Sequence, residues 1–159
     1  MSNAIKLLAG LTMLTLLAGC VNTPKHNVLS IGPITKQVLF SKHPQFLESY
    51  EQFTVSNQEM SFIKQWPNTT RVEVFFGTWC HDSEREVPRL LKLLNYQPDI
   101  EVTLIALDYQ KGDPQGLANN RAIKYTPTII LYKNNKEAGR IIERPKGHLI
   151  SDISSMLVN

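Results

Sequence analysis

From residue 71 to residue 158 the sequence alternates between short apolar runs and amphipathic stretches, and this order constrains the fold more than any other feature. A strand, a helix and a strand come first, and a later helix leads to two adjacent strands and a final helix. The predicted strands are 71–76, 100–107, 127–133 and 139–143, and the predicted helices are 83–94, 115–125 and 148–158. This order predicts an α/β sandwich with a central mixed sheet flanked by helices.

The region before residue 71 predicts extra N-terminal helices on the same domain. Apolar residues recur there at near-helical spacing between positions 44 and 66, with a break around 54–57, which predicts two short helices. The chain has 159 residues, of which 42% are hydrophobic, as expected for one domain with a buried core. A turn at Asn134-Asn135 is expected to join the last two strands.

Residues 1–19 have the anatomy of a signal peptide. Lys6 lies near the start, an apolar stretch runs over 7–17, and small residues precede Cys20. The alternative is a transmembrane helix, but the apolar stretch is shorter than the ~20 residues that a bilayer crossing needs. Thr12 and Thr15 also interrupt it. The segment is therefore interpreted as an export signal.

The four residues Leu17-Ala18-Gly19-Cys20 resemble the lipobox of bacterial lipoproteins. The resemblance implies that cleavage leaves Cys20 as the new N-terminus, carrying a diacylglycerol and an N-acyl chain that anchor it in membrane lipid. Several acyl chains hold a protein far more firmly than one does. Val21 is not the aspartate that favours retention in the inner membrane. In a Gram-negative cell the resemblance therefore implies the outer membrane, with the protein facing the periplasm.

The mature chain is predicted to consist of a tether at 20–34 and one domain at 35–159. The tether holds two prolines, a glycine and several polar residues, and 28–31 is its one candidate for an edge strand. The formal net charge is only +3, and the sequence contains no run of lysine or arginine. This charge pattern excludes nucleic acid as an expected partner.

Cys80 is the one cysteine left once Cys20 is assigned to the anchor. It lies at a predicted junction between a strand and a helix, where free backbone N–H groups and the helix dipole favour a thiolate. The residues that follow, His81-Asp82-Ser83, are polar. They favour a reactive thiol over the alternative, which is a buried structural cysteine.

Two segments resemble the thioredoxin superfamily: VEVFFGTWCHDSEREVPRLLKLL at 72–94 and KYTPTIILYKN at 124–134. The first corresponds to the active-site strand and helix of that superfamily, and the second to its cis-proline loop. The resemblance implies a thioredoxin-like sandwich with a cis bond before Pro127 and with Thr126 beside the Cys80 sulfur. It also implies a groove for an extended substrate, lined by Trp79, Thr126 and Pro127.

The sequence departs from the thioredoxin pattern at two positions. Ser83 stands where thioredoxins carry the second cysteine, so no resolving thiol is present, and Ser83 is expected to donate a hydrogen bond to the Cys80 thiolate. Val74 stands where thioredoxins bury an aspartate, and the adjacent Glu73 is expected on the opposite face of its strand. A self-contained dithiol cycle is therefore not expected.

No metal and no cofactor are predicted. Cys80, His81 and Asp82 are consecutive at a helix start and cannot all face one ion, which makes copper delivery the least favoured function. His26 and His43 are interpreted as solvated surface side chains.

Two functions remain open from the sequence. The first is monothiol exchange, in which Cys80, supported by Ser83, forms mixed disulfides with periplasmic protein thiols or glutathione. The alternative is a non-catalytic binding module, in which the groove at Trp79, Thr126 and Pro127 holds an extended peptide.

Overall fold

The computed structural model of the chain describes residues 28–158, which form a mixed five-stranded sheet with helices packed on it. The strand order is β1-β3-β2-β4-β5. Strands β2 and β3 are parallel, and the other neighbours are antiparallel. The strands are β1 (Gly32–Ile34), β2 (Thr70–Phe76), β3 (Glu101–Ala106), β4 (Thr128–Lys133) and β5 (Lys136–Ile142). The predicted fold class is confirmed.

The helices lie mostly on one face of this sheet. They are α1 (Lys36–Lys42), α2 (Pro44–Gln52), α3 (Asn57–Ile63), α4 (His81–Leu94), α5 (Leu117–Asn120) and α6 (Leu149–Leu157). All except α5 contribute buried apolar side chains to the larger core, together with Val72, Val74 and Phe76 of β2. Phe75 points to the other face, where a smaller cluster packs under α5. The alternation along β2 thus separates two unequal layers.

The N-terminal helices begin at residues that satisfy their free backbone N–H groups. The Thr35 side chain accepts from the third residue of α1, and Ser56 with Glu59 forms a capping box on α3. Helix α2 begins at Pro44, a favoured first helical residue. The two helices predicted between 44 and 66 are confirmed. Helix α1 was not predicted, because Leu39 is its only fully buried residue.

The helix predicted at 115–125 is wrong, since only the single turn of α5 forms. The Asp113 carboxylate accepts hydrogen bonds from three backbone N–H groups at 115, 117 and 118, which fixes the start of this turn. Ala122 then adopts a left-handed backbone with φ of 51°, and this ends the helix. The chain from 121 to 127 is irregular and leads directly into β4.

The sheet begins three residues before the predicted domain boundary at residue 35. The edge strand expected at 28–31 is instead Gly32–Ile34, which pairs antiparallel with β3. The signal peptide, the lipobox with Cys20, most of the tether and His26 lie outside the described residues. Within 28–158, no helix is long and apolar enough to cross a membrane.

His43 is buried, so its interpretation as a solvated side chain is wrong. Only 2% of its surface is exposed, and its ring packs edge-on against Phe46 at the junction of α1 and α2. Its Nε2 atom lies 2.8 Å from the Ser30 hydroxyl. Burial, with a further contribution from Lys42, lowers the pKa of His43 below its usual value. His43 thus links the chain before β1 to the helical layer through its hydrogen bond with Ser30.

Candidate functional site

Cys80 occupies the N-cap position of α4, directly after the turn that follows β2. Its backbone N–H donates to the Gly77 carbonyl at 3.1 Å, and its own carbonyl accepts the first helical hydrogen bond from Glu84 at 3.0 Å. The side chain is partly buried and forms no disulfide. The thiol therefore lies at the helix N-terminus, as the sequence predicted.

The sulfur of Cys80 meets the start of β4. It donates a hydrogen bond to the carbonyl oxygen of Thr126 at 3.2 Å, and the Thr126–Pro127 peptide bond is cis. Thr126 and Pro127 are both buried. Phe75 pairs with Thr128 in the antiparallel register of β2 and β4, which brings the two segments together. The predicted proximity is confirmed, while the assigned roles of these residues remain predictions.

Trp79 is held in place on three sides. Its indole N–H donates to the Leu107 carbonyl at 3.1 Å, and its ring centroid lies 5.0 Å from that of Tyr109. A Cβ atom at Gly77 would come within 2.6 Å of the indole, so only glycine leaves room for the ring there. The side chain is half-buried and forms a fixed wall next to Cys80.

The loop at 108–112 supplies side chains that sequence reasoning did not assign to the site. Asp108 closes the loop through its backbone and its carboxylate, with hydrogen bonds of 2.7–3.0 Å to Lys111 and Gly112. The closed loop presents Tyr109, which is 62% exposed, and places the Lys111 ammonium 5.7 Å from the Trp79 ring centroid. The aspartate and glycine at its two ends are the turn residues that could have indicated it.

Ser83 is fully buried, and its environment differs from the prediction. The structure pairs the Ser83 hydroxyl with the backbone N–H of Gly77 at 3.3 Å, rather than with the Cys80 sulfur. A helix residue one turn after Cys80 points into the sheet side of α4, which explains this partner. Ser83 therefore braces the turn that carries Trp79 and Cys80.

The charges on α4 near Cys80 largely compensate one another. Arg85 bonds Asp82 at 2.7 Å and the buried Glu86 at 2.6 Å. These contacts, with the hydrogen bond to Glu86 first, raise the pKa of Arg85 above its usual value. A guanidinium held by two carboxylates adds little net positive potential at the thiol.

Glu73 lies on the opposite face of β2 from the site, as predicted. It accepts two hydrogen bonds from Arg121, at 2.8 and 3.1 Å, and one each from Arg71 and Tyr132. Burial alone would raise the pKa of Glu73, but these hydrogen bonds outweigh it and lower the pKa to about 2. Glu73 is thus charged at neutral pH and held in a structural ion network, which makes it unsuited to carry a proton for Cys80.

A sequence profile of the thioredoxin family matches residues 39–150. The chain belongs to the thioredoxin family. No curated protein matches the chain. The profile match begins inside α1, so it includes both signatures that the sequence resemblance rested on.

Solved structures with the same fold are distant in sequence from this thioredoxin-family protein. A protein of unknown function from Pseudomonas aeruginosa is 16% identical with a TM-score of 0.59, covering 73% of this chain and 83% of its own. An N-terminal domain of alkylhydroperoxide reductase from Enterococcus faecalis is 15% identical with a TM-score of 0.51, covering 72% of this chain and 52% of its own. These likenesses extend to the fold alone.

This thioredoxin-family protein has Cys80 as the one cysteine of residues 28–158, because Ser83 replaces the second. The same stretch contains no group of three histidine, cysteine, aspartate or glutamate side chains that could hold a metal ion. The site places one thiol beside a cis-proline loop and an aromatic wall.

Proposed function

We propose that this protein is a membrane-anchored monothiol member of the thioredoxin family, which forms mixed disulfides with envelope thiols through Cys80. The observation that carries the proposal is the position of Cys80 at the N-terminus of α4, partly buried and in no disulfide. At a helix start, free backbone N–H groups and the helix dipole favour the thiolate, which is the form that reacts.

The proposed reaction is thiol–disulfide exchange. The Cys80 thiolate attacks one sulfur of a disulfide, the new sulfur–sulfur bond forms as the old one breaks, and the second sulfur leaves as a thiolate. The hydrogen bond to Thr126 is lost in this step, since only the protonated thiol can donate it. Ser83 cannot release the adduct, so a second thiol from glutathione or from the partner protein completes the exchange.

The anchor is part of the same proposal. Lipid attached at Cys20 would hold the domain at the outer membrane, facing the periplasm. The supporting observation is the lipobox-like sequence at 17–20 after a short apolar stretch. The tether from residue 20 to β1 then gives the domain reach toward partners.

The alternative is a non-catalytic module that binds extended peptides at Trp79, Thr126 and Pro127. The observation that favours it is the hydrogen bond from the Cys80 thiol to Thr126. This bond stabilises the protonated thiol, whereas the thiolate is the form that attacks disulfides.

The test compares adducts of the wild-type protein with those of Cys80→Ser in cells whose free thiols have been alkylated. Non-reducing gels should show adducts with glutathione or protein in the wild type and none in the variant. Ser154→Ala is a matched control, because Ser154 lies on α6 and bonds Trp66, away from the thiol. Adducts of equal amount in wild type and Cys80→Ser would leave the binding module as the function.

A further inference from the structure

Lys111 is a cation fixed beside the aromatic wall of the site. The ammonium of Lys111 lies over the Trp79 ring, 5.7 Å from its centroid. No carboxylate of this region pairs with it. The Lys111 ammonium is therefore available to pair with a carboxylate of a bound partner on the Trp79 side of the site.

The backbone conformation of the loop at 108–112 sets the position of Lys111. Lys111 has φ of 65°, a left-handed conformation that non-glycine residues rarely adopt. Its N–H donates to the Asp108 carbonyl, and the next N–H donates to the Asp108 carboxylate. The Asp108 carboxylate accepts this backbone hydrogen bond and keeps its negative charge, but it forms no ion pair with Lys111.

The first turn of α4, which follows Cys80, contains two carboxylates. Asp82 is paired with Arg85, while Glu84, in the first turn of α4, has no such pair among the described residues. A segment that crosses the site beside Trp79 would meet a cation and an aromatic pair.

We infer that Lys111, together with Trp79 and Tyr109, makes the site select peptides that carry a carboxylate close to the reacting cysteine. An extended peptide advances about 3.3 Å per residue, so an acidic residue within about two positions of the cysteine reaches the Trp79 side. Tyr109, exposed over 62% of its surface, offers a ring against which the same segment packs. This inference rests on the proposed function, since it specifies the substrate of the same site.

The expected size of the preference for a peptide carboxylate follows from the interaction of two charges at the protein surface. Two opposite charges about 6 Å apart in water attract enough to change a rate or affinity about threefold. Salt near 1 M shortens the screening length to about 3 Å and should remove most of this difference.

The test uses synthetic peptides whose single cysteine is held in a disulfide with 2-nitro-5-thiobenzoate. Attack by Cys80 on the peptide sulfur joins the peptide to the protein and releases the coloured thiolate, whose absorbance gives the rate. Two peptides differ only by glutamate or glutamine two positions from the cysteine. At low salt, the wild type should react about threefold faster with the glutamate peptide.

Variants assign the preference to Lys111. Lys111→Met should react equally with both peptides, and Lys111→Glu should prefer the glutamine peptide. Lys136→Glu is the matched control, because it makes the same charge change at the exposed turn where β4 meets β5. If Lys136→Glu alters the ratio of rates as much as Lys111→Glu, or if the wild type reacts equally with both peptides, the inference is overturned.

A non-covalent arm separates this inference from the proposed function. Cys80→Ser protein is titrated with peptides in which serine replaces cysteine, and binding is followed by fluorescence anisotropy. If no peptide reacts with wild-type Cys80 but the glutamate peptide still binds tighter in a Lys111-dependent manner, monothiol exchange fails and the inference stands. Equal binding of both peptides overturns the inference, even where Cys80 reacts.

Discussion

The Cys80 sulfur donates its hydrogen to the Thr126 carbonyl oxygen at 3.2 Å, across 46 positions of sequence. The first residue caps α4 and the second leads into β4, and the pairing of β2 with β4 sets their separation. The thiol and the cis-proline loop therefore meet because β2 ends and β4 begins at the same edge of the sheet.

Gly77→Ala should disturb the wall beside the thiol. The added Cβ would come within 2.6 Å of the Trp79 indole, whose N–H bond to Leu107 leaves it little room to move. Overpacking of this kind costs about 1–3 kcal/mol of the free energy of unfolding. Urea titration and the emission of Trp79 measure the effect in a Trp66→Phe background. Gly147→Ala is the control, because the nearest atom to its added Cβ is 3.7 Å away. It should change neither the free energy of unfolding nor the Trp79 emission, and an equal loss of stability there would contradict overpacking against the indole as the cause.

Ser83→Cys should supply an internal attacker at the spacing of a dithiol motif. We expect a shorter lifetime of the Cys80 adduct and the appearance of insulin reduction with dithiothreitol. Loss of the hydrogen bond from Gly77 should cost about 1 kcal/mol of stability. Adduct lifetimes on non-reducing gels provide the measurement. Ser151→Cys adds a thiol at an exposed position of α6 as the control, and an adduct equally short-lived in both variants would argue against internal attack.

Glu73→Gln should lower stability at neutral pH and matter little at low pH. The folded protein holds the pKa of Glu73 at about 2 against a usual 4.5, so the unfolded chain binds more protons between these values. The stabilisation is complete above the usual value, is lost as the pH falls toward 2, and reaches at most about 3 kcal/mol. Chemical denaturation from pH 7 to pH 2 should show wild type and variant converging. The control is Glu51→Gln, on the exposed side of α2, whose free energy of unfolding should run parallel to that of the wild type at every pH. If the difference between Glu73→Gln and wild type does not shrink as the pH falls, the ion network is not the source of the stabilisation.

Acidification should also weaken the contact at His43. The pKa of this buried ring is lowered from 6.5, chiefly by burial, so below pH 6.5 the unfolded chain takes up the proton more readily than the folded one. The free energy of unfolding should therefore fall as the pH drops below that value. His43→Gln should have a smaller slope between pH 7 and pH 5, measured by denaturant titration. His148→Gln, at an exposed position, should retain the wild-type slope.

Cys20→Ala should abolish lipid attachment. Labelled palmitate should enter the wild-type protein and be absent from the variant, which should accumulate as precursor. Cys80→Ala is the control and should label normally, since its thiol belongs to the folded domain. Retention of Cys20→Ala in salt-washed membranes without precursor would contradict the lipoprotein interpretation.

The order of strands and helices could be predicted because each element carries its own periodic pattern. The apolar run of β2, the amphipathic α4 and the turn at Asn134-Asn135 are local features, and they lie where expected. The cysteine and proline signatures likewise gave the two halves of the site. The helix predicted at 115–125 failed because Asp113 and the left-handed Ala122 restrict it to one turn, which apolar spacing does not report.

What the sequence determined by itself is the thioredoxin-like order of elements, the thiol at a helix start and the absence of a second thiol at position 83. Only the tertiary structure decided that Ser83 braces Gly77, that His43 is buried against Phe46, and that Lys111 lies over Trp79. The physical reason is that periodicity and helix-end preferences act over a few residues. A side chain's partner depends on which distant segments the sheet brings to its edge.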